Sequence, residues 1–358
     1  MAKKSLLYTA FIFSIAVYAC TSSSTEKDIK SSSAQQATQK VKLIFDTDMG
    51  SDCDDVGALA LLHQYANEEK VEILGCIYSS GKVPYGAGVI DAINHYYKRP
   101  NLPIGASYDT LVGDNVDKMS AEKLAKDTTS FGHDIILNSD ALEQMQLSRK
   151  LLANQEDSSV TYLTIGHTKG LYDLLTSKPD EISSLSGEEL IGQKVKKWVA
   201  LGALDANNPD NERRKDWNFF FNGTAPYTEY LVRNFPVPIY FVNGGKQVMT
   251  GKSLENTPAS NIVRQAYTTW LNWHGGKTLA DQRPSWDLVT VYFAVEGLGD
   301  YFRMEENGWL DFNAENGCIW RKTKNEYQHF YITQKADTDS AFAAYLNKII
   351  ALPPKLDI

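Results

Sequence analysis

Five aspartates fall within ten positions early in the chain: Asp46, Asp48, Asp52, Asp54 and Asp55, in the run VKLIFDTDMGSDCDDVGALA over residues 41–60. Carboxylates this close repel one another unless a positive partner joins them. The dipole of a following helix can partly offset the last two, Asp54 and Asp55. The others call for a cation, and an all-oxygen donor set suits Ca²⁺ or Mg²⁺ better than zinc. The plainer alternative is a solvated acidic loop with an aspartate N-cap.

The surrounding pattern favours a binding turn. Val41, Leu43, Ile44 and Phe45 read as a short buried strand, and Val56, Leu59, Ala60 and His63 continue at helical period. The acids thus lie at the carboxyl end of a strand, where open α/β sheets place their ligands. An EF-hand loop is excluded: counted from Asp46, its required Gly and Glu positions hold Ser51 and Gly57. The Asp-x-Asp after a strand also resembles haloacid-dehalogenase phosphatases. That family expects Thr or Val where this chain has Gly50, and it has no use for three further aspartates.

The run DTDMGSDCDDVGALALL resembles more closely the opening signature of the nucleoside hydrolases of the inosine–uridine-preferring type, Asp-Thr-Asp-x-Gly-x-Asp-Asp before a small-residue helix. Two extra residues precede the final acid pair, as in a divergent branch. The resemblance extends over nearly all of the chain after Val41. It implies an α/β fold with an open, mostly parallel, Rossmann-like central sheet flanked by helices. It also implies an N-glycosidase: Ca²⁺-dependent hydrolysis of ribonucleosides or a related riboside, a salvage activity, by a water held at the ion. Asp48 would be metal ligand and general base. Asp52, Asp55, Asp287 and the Ile165 carbonyl would complete the cage, with Asp54 on a ribose hydroxyl. The two extra residues allow more than one sharing of Asp52, Asp54 and Asp55 between ion and sugar.

Further stations follow in order. The strand 71–78 leads to Ser79-Ser80-Gly81-Lys82, and Lys82 stands where the family has a ribose-binding Asn. Lysine donates and cannot accept. A helix over 88–97 leads to a third strand entry at 102–105. Residues 106–140 are loop-rich and carry His133, a candidate acid over the substrate or simply a cap histidine. A helix over 142–153 and a strand over 159–166 follow, with His167 replacing the family's Pro. Asp216 and Asn218 match the acid and Asn that bind the sugar's outer hydroxyls, both pointing one way from an extended segment; a turn with a satisfied Asx pair is the alternative. Phe235 to Val242, with the run VPIYFVN, reads as another strand ahead of Gly244-Gly245. At 283–288, RPSWDL, Trp286 fills the place of the family's acid His beside Asp287 and becomes a substrate contact. His274 is a second candidate acid. The tail reads as a hairpin over 308–332 and a helix over 341–352.

The ends and the charge set the context. Residues 1–20 resemble a lipoprotein signal, with Lys3 and Lys4, an apolar run too short to span a bilayer, and Cys20 as the lipidated residue. Residues 21–40 are Ser-rich and polar and predict a flexible tether, leaving 41–358 as the folded domain. The expected location is the cell envelope, lipid-anchored and facing outward, with a homo-oligomer compatible. Net charge is −8 with no basic stripe, which argues against nucleic acid. Cys53, Cys76 and Cys318 show no paired spacing. Neither a dinucleotide fingerprint nor a nucleophile elbow occurs. The alternative to hydrolysis is an anchored sugar- or nucleoside-binding protein that kept the metal cage and lost catalysis, or a hydrolase of another glycoside.

Overall fold

A computed structural model describes residues 40–355 except 209, 211 and 325. The leader, Cys20 and all of the tether but Lys40 lie outside these residues. No helix among the described residues is long and apolar enough to cross a membrane.

The described residues form thirteen strands and eleven α-helices. The strands are β1 Val41–Thr47, β2 Val71–Tyr78, β3 Ile104–Ala106, β4 Leu142–Glu143, β5 Val160–Thr164, β6 Val195–Leu201, β7 Ile239–Asn243, β8 Met249–Thr250, β9 Arg283–Pro284, β10 Phe302–Glu305, β11 Trp309–Asn313, β12 Gly317–Arg321 and β13 His329–Gln334. The helices are α1 Asp54–Asn67, α2 Gly86–Tyr96, α3 Ala121–Lys126, α4 Thr128–Phe131, α5 Gln144–Ala153, α6 Lys169–Thr176, α7 Gly187–Lys194, α8 Ala225–Asn234, α9 Ile262–Trp273, α10 Trp286–Glu296 and α11 Asp339–Ile350.

Nine strands form one sheet in the order β10-β13-β7-β6-β5-β1-β2-β3-β4. Every pairing in it is parallel except β10 with β13. The expected open, mostly parallel sheet is present. Its strands are near-continuous apolar runs because helices cover both faces. The chain leaves β1 towards β2, β3 and β4, then returns to the other side of β1 with β5. The switch point therefore lies between β1 and β5, where the crevice at the strand ends opens.

Two helices are buried almost all round. In α1 every residue from Asp54 to Tyr65 is buried, and in α10 every residue from Asp287 to Ala294. Small residues in α1 permit this: a Cβ at Gly57 would meet Leu288 at 3.2 Å and the Tyr267 hydroxyl at 2.5 Å. The close packing of α1 on α10 sets their first turns side by side.

Three sequence expectations need correcting. The segment 216–220 is a turn, with the Phe220 N–H bonded to the Asp216 carbonyl at 3.2 Å, so it is not extended. The strand expected from Phe235 to Val242 starts only at Ile239, after α8 ends at Asn234. The tail hairpin is β11–β12 alone; His329–Gln334 instead joins the central sheet beside β7. A period-2 apolar pattern shows that a segment is a strand without showing which neighbour it pairs with. The three described cysteines are buried and unpaired.

Candidate active site

The cavity at the sheet's carboxyl edge has a volume of about 310 Å³. Asp48 enters it from the end of β1, Ile165 from the end of β5, and Leu201 and Gly202 from the end of β6. The approach of β5 to β1 requires a glycine: a Cβ at Gly166 would stand 2.5 Å from the Asp48 nitrogen. In the acidic turn, Gly50 takes φ +137°, which a residue with a side chain rarely adopts.

Asp54 and Asp55 open α1, and Asp287 lies in the first turn of α10. Their carboxylates offer ligand atoms all within 4.8 Å of one another, an arrangement that could hold a metal ion. The two helix N-termini aimed at this point favour negative charge. The Asp287 N–H also reaches towards Asp54 Oδ2, at 3.5 Å. Thr47 Oγ1 donates to Asp55 Oδ1 and holds that carboxylate from behind. All three are buried, and Asp48 is 8 % exposed. Burial, then the neighbouring acids, push Asp54, Asp55 and Asp287 well up from the ordinary carboxylate range. Burial raises Asp48 too, against the pull of His167. Buried acids shifted this way either hold protons or await a cation. With only oxygen donors present, the cluster fits a hard divalent ion.

Asp52 behaves differently. It forms an ion pair with Arg283, and Arg283 Nη2 also binds Asp54 Oδ1 at 2.9 Å. Asp52 lines the cavity beside the three converging acids without being one of them. Asp46 sits behind the site, fully buried, accepting from the Tyr162 hydroxyl at 3.3 Å.

Asp216 and Asn218 both line the cavity, brought there by the turn. Asp216 accepts the N–H groups of Phe219 and Ala203, each at 2.8 Å. Burial pushes its carboxyl up to about 6 despite these bonds. The Asn218 amide donates to the Ile165 carbonyl at 2.7 Å, leaving that oxygen a second lone pair. Trp286 lines the cavity as well.

Two expected residues are elsewhere. His133 is buried, its Nε2 2.7 Å from the Ala125 carbonyl, and is not part of the cavity wall. Lys82 also does not line the cavity. The loop carrying His133 turns its ring into the packing of α2 and α3, 6.3 Å from the His95 ring centre, whereas the charge of Lys82 still reaches His167 beside Asp48.

Other contributors were missed. His167, next after Gly166 at the switch point, is buried with Nε2 3.2 Å from Asp48 Oδ2. Arg283 is held by the two-residue β8–β9 ladder, 4.3 Å from the Trp270 ring centre and 5.6 Å from that of Trp286. Trp270, Trp217 and Lys118 complete this side of the cavity, together with His274, which the sequence offers as a candidate acid. A lone cation four residues before Asp287 was the one signal available for Arg283. Nothing local marks Trp270, which reads as one more apolar position on an amphipathic helix.

The sequence matches no protein-family profile, and no curated protein sequence matches it. The fold does have solved counterparts. An inosine–uridine-preferring nucleoside hydrolase from Bacillus anthracis is similar over 87 % of this chain and 99 % of its own, at 16 % identity and a TM-score of 0.61. A purine-preferring ribonucleoside hydrolase from Gardnerella vaginalis is similar over 87 % and 98 %, at 16 % identity and a TM-score of 0.58. The type III effector XopQ, solved with adenosine diphosphate ribose, is similar over 88 % and 94 %, at 12 % identity and a TM-score of 0.58. The chain has the nucleoside-hydrolase fold.

Proposed function

We propose that the protein hydrolyses the N-glycosidic bond of ribonucleosides or a closely related riboside, with a bound hard divalent cation, Ca²⁺ as the family resemblance implies. The carrying observation is the convergence of Asp54, Asp55 and Asp287 from two helix N-termini onto one point of the cavity. Asp55 and Asp287 would hold the ion, with Asp48 and the Ile165 carbonyl beside them and Asp54 shared between ion and sugar. When bound, such an ion orients sugar hydroxyls and eases loss of a proton from water.

The remaining roles fall to this chain's side chains. Asp48 takes the proton of the attacking water, with its carboxylate steadied by His167 at 3.2 Å. Asp54, free to offer lone pairs beyond its bond to Arg283, accepts from a ribose hydroxyl. Asp216 and Asn218 take the outer hydroxyls. As the C–N bond lengthens the sugar gains oxocarbenium character, and the surrounding fixed carboxylates stabilise that positive charge without reorganising. Trp217, Trp270 and Trp286 form an apolar bed for a flat base and keep water from it. Lipidation at Cys20 and an envelope location belong to the same proposal and rest on sequence alone.

Asp48→Asn tests it. Turnover of p-nitrophenyl riboside should fall by roughly 10³-fold, the scale of losing a general base, while the melting temperature holds. Undiminished turnover rejects the assignment. A second reading, binding without turnover, draws support from Trp286 in place of an acid histidine. Calorimetry with ribose beside a hydrolysis assay separates the two.

A further inference from the structure

Cleaving a nucleoside leaves an electron pair on the base nitrogen, and an ordinary base departs poorly until that nitrogen is protonated. The acids gathered at Asp287 serve the sugar and the water. The proton for the base must come from the other side of the cavity. Trp286 has no exchangeable proton of useful acidity, and His133 is not in the cavity wall. Arg283 does not release its protons and is committed to Asp52 and Asp54. Lys118 is tied to Asp114 at 2.7 Å, with its ammonium 5.5 Å from the Trp217 ring centre and 5.8 Å from that of Trp273.

His274 remains. It caps the carboxyl end of α9 and lines the cavity. Its Nδ1 lies 2.9 Å from the Trp270 carbonyl. A carbonyl can only accept, so Nδ1 carries a hydrogen, and Nε2 is the nitrogen that exchanges a proton. The ring is not loose: its centre is 3.7 Å from that of Trp270, and the Trp273 ring meets it edge-on at 4.6 Å. Trp270 also carries the Arg283 guanidinium, which grips Asp54. One run of contacts therefore ties this imidazole to the acidic turn.

We propose that His274 is the general acid of the site, protonating the departing base; this rests on the hydrolase reading above. The C–N bond breaks with its electron pair going to nitrogen, which takes the proton from Nε2. Water bonds to the anomeric carbon and gives its proton to Asp48. The products are free sugar and neutral base, and solvent restores the proton to His274 and removes the one on Asp48.

The experiment compares inosine with p-nitrophenyl riboside in wild type and His274→Gln. Nitrophenolate leaves without protonation, whereas hypoxanthine does not. An acid role predicts that kcat/KM for inosine falls at least about 30-fold more than that for p-nitrophenyl riboside, within the 10²–10⁴ range of general acids. Equal partial losses on both, with activity still measurable, or no loss on inosine, overturn the assignment while leaving the hydrolase reading intact. A wild type that cleaves p-nitrophenyl riboside but no nucleoside also overturns it. A wild type that cleaves neither overturns the hydrolase reading itself. If His274→Gln loses both activities, His274→Ala with added imidazole decides. Recovery of inosine cleavage supports the role, and its absence refutes it.

Discussion

The two sides of the cavity are built differently. The carboxylates are short side chains set where the backbone leaves no choice: Asp48 follows β1, Asp54 and Asp55 open α1, and Asp287 opens α10. The aromatic and cationic side consists of long side chains from separated segments, with Trp217 on a turn, Trp270 and His274 on the end of α9, and Trp286 and Arg283 at the entry to α10. There each ring is placed by its neighbours and not by its own backbone. Helix and strand ends resist displacement because the core behind them is close-packed; stacked side chains can re-pack. Changes among the carboxylates should therefore act on rate and ion binding, and changes among the tryptophan rings on affinity.

Arg283 joins the two sides, so its loss should be the most damaging. Arg283→Met leaves Asp54 buried without its cation, and breaking a buried pair from one end costs about 3–5 kcal/mol. Urea unfolding without added metal should show the loss. A change under 1 kcal/mol would mean that the two groups are independent.

Next in size is ion linkage. Ca²⁺ at 100 times its dissociation constant should stabilise the fold by about 2.7 kcal/mol. Asp287→Asn should remove that gain, and Trp217→Leu should preserve it. Equal calcium-induced melting shifts in wild type and Asp287→Asn would separate Asp287 from the cluster.

Asp216 gives a smaller, pH-dependent effect. Its folded carboxyl is pushed up to about 6 by burial, against about 3.9 in an unfolded chain. Between those values the folded state holds a proton that the unfolded chain has released, so stability declines as pH rises. The decline is complete above pH 6, and below about pH 4 the contribution is fully present. Asp216→Asn should show less of this decline. It should also carry a constant penalty, because its amide must turn a donor towards the N–H of Phe219 or Ala203. Urea midpoints of both proteins across pH 4 to 7 give the difference. Identical slopes would remove Asp216 as a titrating group.

The smallest effect belongs to the half-exposed Trp217. An aromatic contact contributes about 0.5–1.5 kcal/mol, so Trp217→Leu should raise KM two- to ten-fold with kcat nearly constant. A fall in kcat instead would blur the division between the two sides.

The same division marks what could be read in advance. The acidic turn stood out because repulsion among adjacent carboxylates is a local fact, visible without knowing the fold. Asp287 was reached only through resemblance, since one acid at a helix start looks like a cap. Asp216 and Asn218 were placed correctly at the cavity but on the wrong backbone: an extended segment was expected and a turn is present. His133 illustrates the opposite failure, because a histidine in a loop carries no sign of which way the loop folds.

From the order of amino acids alone came the alternation of apolar strands with helices and the strand-to-helix turn that gathers negative charge, while the parallel sheet was implied by the family resemblance those residues carry. The alternation and the turn depend on periodicity and on neighbours within a few residues. Folding decided the rest: that β5 returns beside β1, that α1 and α10 pack closely enough to bring Asp287 to Asp54 and Asp55, that Arg283 pairs with Asp52, and that His274 rather than His133 borders the cavity. Such outcomes depend on packing between residues up to hundreds of positions apart, where one side chain's place is set by the volume its distant neighbours leave open.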